Sequence, residues 1–442
     1  MAELTDLPGA RSGRRIVLTT LGSLGDLHPY IALALGLKAR GHEPILATRE
    51  SYRHKIEPLG IGFRPIRPDE PDWTADPGLM ARLMDARKGG EVIIREYVMP
   101  SLRQTFEDTL AAVEGADLVV SHVITFATRL AAETRGVPWV SSMLQPLGFF
   151  SAHDPPVLAP GPYLAWFRPL GPPFYRMAFR LARRVSRPWS EPWHRLRAEI
   201  GLPPGPDPLF EGQHAPSLVL ALFSHLLAER QTDWPPQTVV TGFPFYDRGD
   251  EPGPTGGLRE FLDDGPPPIV FTLGSSAVRD AGRFYEQGAA AAKTLGRRAV
   301  LLIGKDPRNR LGCLPDGVAA FEYAPYSELF PRASAIVHQG GVGTTAQAMR
   351  AGKPMLIMPY AHDQPDNAAR MKRLGIGRSI SRGRFSAPGA VAELRRLLED
   401  PAIARRASAV GEQVRSEDGV GAACVALETV LADAASFPYA SD

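Results

Sequence analysis

The chain has 442 residues, which is too long for one ordinary hydrophobic core, so we expect two domains. Its 44% hydrophobic and 22% charged residues are typical of a soluble globular protein, and a formal net charge of +2 gives no support for nucleic acid as a partner. Two cysteines cannot form a disulfide framework or a metal cluster, and no apolar run reaches the roughly 18 residues of a membrane span, so we expect a cytoplasmic protein.

The N-terminal half alternates short apolar strands with helices, which predicts a parallel sheet with right-handed crossovers. The first strand, 15–20, is followed by a loop over 21–28 and by a helix that we expect to begin at Pro29. The fourth strand ends at His122. Strands one and four are neighbours in the usual doubly wound order, so we expect Asp26 and His122 to meet in one crevice.

The stretch 149–197 combines many aromatic residues with interleaved arginines. One interpretation is an apolar acceptor pocket at Met143, Phe149 and Phe150, whose basic outer face touches a membrane surface. The other interpretation is a set of ordinary helices with arginine-covered faces. The sequence leaves both open.

The second half of the chain restarts the alternation of strands and helices after a segment dense in Gly, Pro and Asp. We therefore predict four parts along the chain. They are an N-terminal domain over 1–245, a linker over 246–267, a C-terminal domain over 268–424, and a final helix and tail over 425–442.

A glycine cluster in the second half predicts a ligand site. An apolar strand runs into Gly340, Gly341 and Gly343, which have no Cβ and let the backbone lie close to a ligand. Thr344 and Thr345 then begin a helix, whose unpaired first N–H groups and positive dipole end suit a phosphate. A tight strand-to-helix turn without a ligand is the alternative.

The next apolar strand ends in a second polar cluster, which contains Asp363, Gln364 and Asn367. Carboxylate and amide side chains at this spacing can donate to and accept from the hydroxyl groups of a sugar. A diphosphate next to a sugar is a nucleotide sugar, so the two clusters together predict a nucleotide-sugar site.

The run His338-Gln339-Gly340-Gly341-Val342-Gly343-Thr344-Thr345, together with Asp363-Gln364, resembles the donor-binding region of family-1 inverting glycosyltransferases. The likeness is strongest to the sterol glucosyltransferase-like and glycopeptide-type branch, and it covers nearly the whole chain. It implies the α/β fold called GT-B, in which two Rossmann-like doubly wound parallel-sheet domains face each other across a cleft. It also implies that the last helix crosses back to the N-terminal domain.

The loop Gly22-Ser23-Leu24-Gly25-Asp26 and the following Pro29 also match this family. The resemblance implies that Asp26 is the general base. His122 stands where many relatives carry the carboxylate that orients a catalytic histidine, so Asp26 and His122 would form a swapped pair. His28 is the rival imidazole in the same loop.

In the family, a Gly-Ser turn contacts the donor phosphates and an aromatic residue lies under the nucleobase. The resemblance therefore implies a donor site formed by Gly25, Gly274, Ser275, Tyr323, Tyr326, His338, Gln339, Gly340, Gly341, Gly343, Thr344, Thr345, Asp363 and Gln364. Three positions depart from the family pattern, namely Tyr323, Tyr326 and Gln339. Whether His338 or Gln339 faces the phosphates stays open at this stage.

We predict an inverting hexosyltransferase that moves a hexose from a UDP- or dTDP-sugar to a hydroxyl of a hydrophobic small-molecule or lipid acceptor. The nucleotide sugar is a co-substrate, UDP or dTDP is a product, and we expect no metal or other cofactor, because the diphosphate loops carry no acidic pair. The alternatives are a nucleotide-sugar epimerase of the same fold and a catalytically silent sugar-nucleotide-binding partner protein. We expect a monomer or homodimer, with peripheral contact to the inner membrane surface as an open alternative.

Overall fold

The computed structural model describes residues 13–71, 76, 78–247 and 256–436. Its strands are short, as the sequence predicts. They are β1 (Arg15–Thr19), β2 (Glu43–Thr48), β3 (Gly62–Pro65), β4 (Leu118–His122), β5 (Trp139–Met143), β6 (Val219–Ala221), β7 (Thr238–Val240), β8 (Ile269–Thr272), β9 (Ala299–Leu302), β10 (Val318–Phe321), β11 (Ala335–His338), β12 (Met355–Ile357) and β13 (Gly377–Ser379).

The helices alternate with the strands and cover both faces of each sheet. They are α1 (Leu24–Ala39), α2 (Arg53–Ile56), α3 (Leu79–Leu83), α4 (Gly89–Val92), α5 (Leu102–Ala112), α6 (Phe126–Arg135), α7 (Gly171–Ser186), α8 (Glu191–Glu199), α9 (Gly256–Asp263), α10 (Gly274–Ala277), α11 (Phe284–Leu295), α12 (Tyr326–Leu329), α13 (Val342–Arg350), α14 (Gln364–Arg373), α15 (Ala387–Leu398), α16 (Pro401–Ser416) and α17 (Gly419–Ser436).

Two parallel sheets form the framework of the protein. The first has the strand order β3-β2-β1-β4-β5-β6-β7, and the second has the order β10-β9-β8-β11-β12-β13. The six strands of the second sheet have the same topology as the first six strands of the first sheet, because β8 to β13 are arranged in space as β1 to β6 are. All pairings are parallel, which confirms the predicted fold of two doubly wound domains.

The central strands are apolar because helices cover both of their faces. Ile16 on β1 lies between Pro44 on β2 and Leu118 on β4. In the second sheet, Ile336 on β11 lies between Val270 and Met355. Strands β4 and β11 are fully buried, so their carboxyl ends are held in fixed positions at the edge where ligands bind in such sheets.

Helix α1 begins earlier than the sequence indicated. It begins at Leu24, so that Pro29 lies inside the helix and not in its first turn. Ser23 is the N-cap, and the Asp26 carboxylate accepts from the Ser23 backbone N–H at 2.7 Å, which completes a capping box. The prediction of a loop over 21–28 was wrong from Leu24 onward, because the capping box at Ser23, and not Pro29, sets the start of the helix.

The chain between the two sheets contains a helix where a linker was predicted. Helix α9 occupies the second part of the predicted linker 246–267, and residues 248–255 lie outside the described residues. At the other end of the chain, α17 packs on α1 of the first sheet. Cys424 and Leu427 belong to the hydrophobic cluster built around β1 and α1, and Arg40 forms a 2.6 Å ion pair with Glu428.

A buried cluster of charges joins the two halves. The Arg370 guanidinium on α14 donates to Asp366 at 2.7 Å and to Asp154, which belongs to the first half, at 2.6 Å. Asp366 also accepts from the backbone N–H of Val157 at 2.9 Å. Arg370 and Asp366 are almost completely buried, so their charges depend on each other and on Asp154.

Candidate active site

The glycine cluster connects β11 to α13 through a tight turn. Gly340 has φ +96°, a left-handed conformation that suits glycine. A Cβ at this position would lie 2.8 Å from the Ile357 side chain and 3.1 Å from the Gln364 carbonyl oxygen. The turn therefore requires glycine at Gly340 for both its backbone angles and its close contacts.

His338, the last residue of β11, lies beneath this turn. It is fully buried, and its Nδ1 accepts from the Gly340 N–H at 3.1 Å. Burial lowers the pKa of His338 to about 3, so the imidazole is neutral near pH 7. Because Nδ1 is an acceptor, Nε2 carries the proton, and this N–H has no partner in the described part of the chain. His338 thus holds an unused hydrogen-bond donor at the turn.

Gln339 lies between the turns that follow β8 and β11. A Cβ on Gly274, whose φ is +64°, would lie 2.4 Å from Gln339 Nε2, and a Cβ on Gly341 would lie 2.9 Å from the same atom. Both glycines are therefore needed to admit this amide. Ser275, the residue after Gly274, is exposed at the start of α10. The structure thus brings Gly274, Ser275 and Gln339 to one place.

Asp363 lies at the N-terminus of α13, although it belongs to the loop after β12. Its carboxylate accepts from the Val342 N–H at 3.1 Å and from the Asn367 side-chain amide at 2.7 Å. Burial raises the pKa of Asp363 to about 7, the hydrogen bond from Asn367 opposes that shift, and the nearby Asp26 charge adds to it. The Asn367 amide also donates to the Gly340 carbonyl at 2.8 Å, so it joins this carboxylate to the glycine turn.

Gln364 supports its own loop with its side-chain oxygen. That oxygen accepts from the backbone N–H groups of Tyr360, at 2.8 Å, and Ala361, at 3.4 Å. Only its amide NH₂ is then left to donate elsewhere. The side chain is buried, with 5% of its surface exposed.

Helix α1 places Asp26 on the opposite side of the cleft. One carboxylate oxygen, Oδ2, accepts from the Ser23 N–H and hydroxyl, and the other, Oδ1, lies 3.7 Å from His122 Nε2. A Cβ on Gly22 would lie 2.3 Å from Oδ2, so glycine is required there. Burial lowers the pKa of His122, which favours a neutral imidazole, whereas the Asp26 charge opposes this shift.

The strand order thus brings Asp26 and His122 together, as predicted. His28, the rival imidazole, instead packs edge-on against the Tyr246 ring at 5.5 Å. Asp26 keeps about a third of its side chain exposed, and its Oδ1 is the oxygen next to His122. The geometry therefore pairs the carboxylate with His122.

The loops of the two domains meet across the cleft. A Cβ on Gly343 would lie 3.7 Å from the Gly25 Cα, and Val342 packs against the hydrophobic cluster around α1. The charge of Asp26 acts on the pKa of Asp363, which lies on the other side. The N-terminus of α1 and the N-terminus of α13 therefore face each other at short range.

The two predicted donor tyrosines have different environments. Tyr323 is 52% exposed. Tyr326 is partly buried, its hydroxyl lies 2.8 Å from Thr272 Oγ1, and its ring stacks on Phe330 at 4.3 Å. Thr344 and Thr345, in the first turn of α13, are buried. Tyr326 thus supports the turn after β8 through its hydroxyl.

The three residues predicted to contact the acceptor lie mostly inside the protein. Met143 is buried in the core, and the buried Phe149 stacks on Trp234 at 3.9 Å. Phe150 has φ +45° and packs against Phe179 on α7 at 5.9 Å. The sequence pattern identified apolar residues correctly but could not distinguish core positions from the cleft surface.

His362, which we did not single out, has the second strained backbone of this region. It adopts a left-handed φ of +58° immediately before Asp363, and a Cβ on Gly89 would lie 3.2 Å from its ring. Burial lowers its pKa, while the Leu83 backbone and the Asp26 charge oppose the shift. A positive φ is uncommon for a residue other than glycine, and no sequence pattern predicts it at this position.

The described residues contain no group of three or more His, Cys, Asp or Glu side chains placed to hold a metal ion. Across the same ranges, no helix is long and apolar enough to cross a membrane. Both cysteines, Cys313 and Cys424, are free thiols.

Two family models match the chain, one in each half. The glycosyltransferase family 28 N-terminal domain matches residues 16–134, and the erythromycin biosynthesis protein CIII-like C-terminal domain matches residues 286–425. The chain is 35% identical over 425 residues to O-mycaminosyltylonolide 6-deoxyallosyltransferase of Streptomyces fradiae, an alignment that covers 94% of this chain and 97% of the relative. It is 28% identical to a sterol 3-beta-glucosyltransferase of Cryptococcus neoformans, which covers 93% of this chain and 27% of that longer protein.

Solved structures share the fold. The glycosyltransferase of kitacinnamycin superposes with a TM-score of 0.71 at 21% identity, over 95% of this chain and 99% of that one. The glycosyltransferase VinC in complex with dTDP superposes with a TM-score of 0.67 at 19% identity, over 95% and 100%. These likenesses extend over both domains and confirm the predicted two-domain architecture.

Proposed function

Because this chain belongs to the family-1 glycosyltransferases, we propose that it moves a hexose from a UDP- or dTDP-sugar to a hydroxyl of a hydrophobic small molecule or lipid. The name of the fungal relative describes transfer to a sterol, an apolar alcohol, and that of the Streptomyces relative describes transfer of a deoxy sugar. VinC was crystallised with dTDP, which supports a nucleoside diphosphate as the leaving group.

The observation that carries this proposal is the meeting of two helix N-termini with one free carboxylate oxygen between them. The end of α13, with its glycines, faces the end of α1, which presents Asp26 Oδ1. An anionic leaving group and a base are the two groups that a single displacement at an anomeric carbon needs. Such a displacement inverts the anomeric centre.

We assign the general base to Asp26. The acceptor hydroxyl donates its proton to Oδ1 as its oxygen forms the bond to the anomeric carbon. The bond from that carbon to the phosphate oxygen breaks at the same time, and the nucleoside diphosphate leaves with the electron pair. A well-placed base accelerates such a step by roughly 10²–10⁴-fold. His122 lies 3.7 Å from Oδ1 and acts as a positioning residue for the carboxylate.

We assign the diphosphate to the N-terminus of α13. The first backbone hydrogen bond of this helix is donated by the Thr345 N–H to the Gly341 carbonyl, at 3.0 Å. The N–H groups of Gly343 and Thr344 come before it and are therefore available to an anion. The Nε2–H of His338 is a further donor. These groups stabilise the charge that develops on the leaving oxygen without a cation, so we expect no metal requirement.

The sugar is assigned to Asp363 and the amide of Gln364, and the nucleobase to the exposed ring of Tyr323. Asp363 lies within hydrogen-bonding distance of the Val342 N–H at the phosphate end of α13, so a sugar on that diphosphate lies next to its carboxylate. We place the reaction in the cytoplasm, which the two free thiols suit. Because the curated relatives are transferases, neither an epimerase nor a silent binding partner is favoured.

The proposal is tested first by donor binding. We would measure the thermal stability of the protein with UDP, dTDP, GDP and ADP, and then with the matching nucleotide sugars. A ligand at 100 times its Kd stabilises the fold by about 2.7 kcal/mol. We expect UDP or dTDP to stand out, and its sugar to add to the effect.

The second test is transfer itself. The donor found in the binding experiment is incubated with a panel of sterols and macrolide-type alcohols, and the product is analysed by mass spectrometry and by the coupling constant of its anomeric proton. The expected product carries one hexose with inverted configuration. Retained configuration, or donor binding without transfer to any apolar alcohol, would contradict the proposed reaction.

A further inference from the structure

One surface of the N-terminal domain exposes most of the large apolar side chains of the protein. Ten large hydrophobic side chains are strongly exposed in the described residues, and seven of them lie between residues 163 and 185. They are Tyr163, Trp166, Phe167, Leu170, Met177, Leu181 and Val185. A cluster of this size on an otherwise polar surface indicates an interaction site.

The apolar residues of α7 form a stripe next to a stripe of arginines. Met177, Leu181 and Val185 recur every fourth residue and so lie along one side of the helix. Each of them follows an arginine, and these arginines form the neighbouring stripe on the exposed face. They are Arg176, Arg180 and Arg184.

The opposite face of α7 is already used inside the protein. Tyr175 and Phe179 are buried in a small apolar cluster with Ala152, and Phe150 packs on Phe179. The exposed stripe is therefore not the core-facing side of an ordinary amphipathic helix. It is a second apolar face, and no part of the described chain covers it.

The charge around this surface has one sign. Residues 155–190 contain six arginines and no acidic residue, so the rest of the chain holds 44 basic against 48 acidic residues. Arg183 is neutralised by an ion pair with Glu211. The guanidinium groups of Arg180, Arg184 and Arg187 form no ion pair or hydrogen bond within the described residues, so their charges are available to an external anion.

We propose that this surface, residues 162–187, docks the enzyme on an anionic membrane. A helix lying in the membrane interface carries Trp, Phe and Leu on one face and Lys or Arg beside it, as α7 and the preceding turn do. A second copy bound through the same patch would bring arginines against arginines, which repel each other. Among the exposed side chains, the indole of Trp166, 81% exposed, suits the boundary between headgroups and acyl chains.

The position of this surface suits the proposed acceptor. Phe150 follows the carboxyl end of β5, at the edge of the sheet where the cleft opens, and it contacts α7 through Phe179. The docking surface is thus attached to the acceptor side of the cleft. Docking would then hold the acceptor side of the cleft near membrane-dissolved alcohols; this consequence rests on the proposed function, whereas docking itself requires no activity.

The proposal is tested with vesicles and the full chain, without donor or acceptor. We would measure sedimentation with phosphatidylcholine vesicles and with vesicles containing phosphatidylglycerol, at low and high salt. We expect binding to the anionic vesicles only, weakened by salt. The emission of Trp166 should shift to shorter wavelength on binding, and this shift should be lost in Trp166→Phe.

Two variants of α7 distinguish the contribution of the arginines to membrane binding from that of the apolar side chains. Each basic residue near an anionic membrane strengthens binding about fivefold, so R180E/R184E should weaken it by at least about 25-fold. M177S/L181S/V185S should abolish the fluorescence shift. The control R395E/R405E makes the same change in net charge with exposed residues of the C-terminal domain, and it should bind as the unchanged protein does.

All these positions are on the surface, and unchanged stabilisation by the nucleoside diphosphate would show that the variants are folded. Equal binding to both vesicle types, or no binding to either, would overturn the proposal. So would a dimer that M177S/L181S/V185S dissociates in the absence of vesicles, because the apolar stripe would then belong to a second copy. Equal loss in the control would attribute binding to net charge and not to α7.

Discussion

The N-termini of α1 and α13 differ in which groups accept hydrogen bonds from their unpaired backbone N–H groups. At α1, the helix supplies its own carboxylate, because Asp26 in the first turn accepts from Ser23. At α13, the N-cap is Gly341, which has no side chain, and a carboxylate from another loop, Asp363, accepts from Val342. The N-terminus of α1 is therefore occupied by a carboxylate of its own helix, whereas the N-terminus of α13 leaves the N–H groups of Gly343 and Thr344 for a ligand.

This difference assigns the two ends to different tasks. The N-terminus of α1 is occupied by the carboxylate of its own Asp26, which fixes one oxygen at Ser23 and presents the other as the proposed base. A helix end capped by glycine attracts the diphosphate and leaves space for it. The same backbone chemistry thus produces the proposed base in one domain and the proposed anion site in the other.

The largest expected effect comes from removing the charge at the α1 end. Asp26→Asn keeps an oxygen that can accept from Ser23 but cannot take a proton, so kcat should fall by roughly 10²–10⁴-fold. Donor affinity, measured by calorimetry, should stay near that of the unchanged protein.

Ser23→Ala is the matched control for the helix cap. It should cost about 1 kcal/mol of folding free energy, measured in urea, and leave most of the transfer rate. If Ser23→Ala lowered kcat as much as Asp26→Asn does, Asp26 would serve the helix and not the reaction.

The next effect concerns the turn at the α13 end. Gly340→Ala places a Cβ 2.8 Å from Ile357 at φ +96°, so we expect a loss of about 2–4 kcal/mol in urea unfolding and a loss of diphosphate binding. Gly343→Ala is the matched variant, because its Cβ would make an ordinary 3.7 Å contact with Gly25. It should change stability by less than about 0.5 kcal/mol. Equal losses in the two variants would show that the turn does not depend on a left-handed glycine.

The carboxylate between the two ends should make stability depend on pH. The folded pKa of Asp363 is about 7, above its usual value of about 4, so the folded state keeps a proton that the unfolded chain has lost. Stability from this group is therefore intact below about pH 4 and falls as the pH rises to about 7.

Asp363→Asn removes this dependence. We expect the stability of the variant relative to the unchanged protein to rise by on the order of 1–2 kcal/mol between pH 4 and 7, measured by urea unfolding. The exposed Asp316→Asn makes the same change of charge as a control. A constant difference across this range would mean that folding does not raise the pKa of Asp363.

The smallest effect separates the two nitrogens of His338. Asn places an oxygen near Nδ1 and can accept from Gly340, whereas Gln reaches the position of Nε2–H and can donate to a phosphate. His338→Asn should therefore weaken diphosphate binding by about tenfold, a loss of one hydrogen bond to a charged group, and His338→Gln should weaken it less. Calorimetric affinities in the reverse order would mean that the imidazole only holds the turn.

The fold was predictable because its signals are local. Apolar runs of strand length, separated by helices and by glycine turns, occur in both halves, and the doubly wound order follows from chain connectivity. The proximity of Asp26 and His122 followed from the same rule. The start of α1 was missed because Pro29 is a strong local signal, whereas the Ser23–Asp26 capping box is a weaker one.

Other parts of the site depend on packing between distant segments. No local pattern distinguishes Phe149, stacked on Trp234 in the core, from an aromatic residue that lines a cleft. The left-handed His362 likewise packs against a distant segment, the one around Gly89. The glycine run was recognisable from the sequence because Gly340 adopts a left-handed conformation that few other residues adopt, and because Gly341 leaves room for the Gln339 amide.

The buried charges of Asp154, Arg370 and Asp366 have a consequence for recombination between related enzymes. Asp154 comes from the half that we assign to the acceptor, and the other two lie on α14, which begins next to Asp363, the residue that we assign to the sugar. A chimera that exchanges one domain and loses one of these three residues would leave a buried charge without its partner. We expect this to lower the free energy of unfolding by about 3–5 kcal/mol. Acceptor and donor specificities can therefore be inherited separately only by lineages that keep these three residues together.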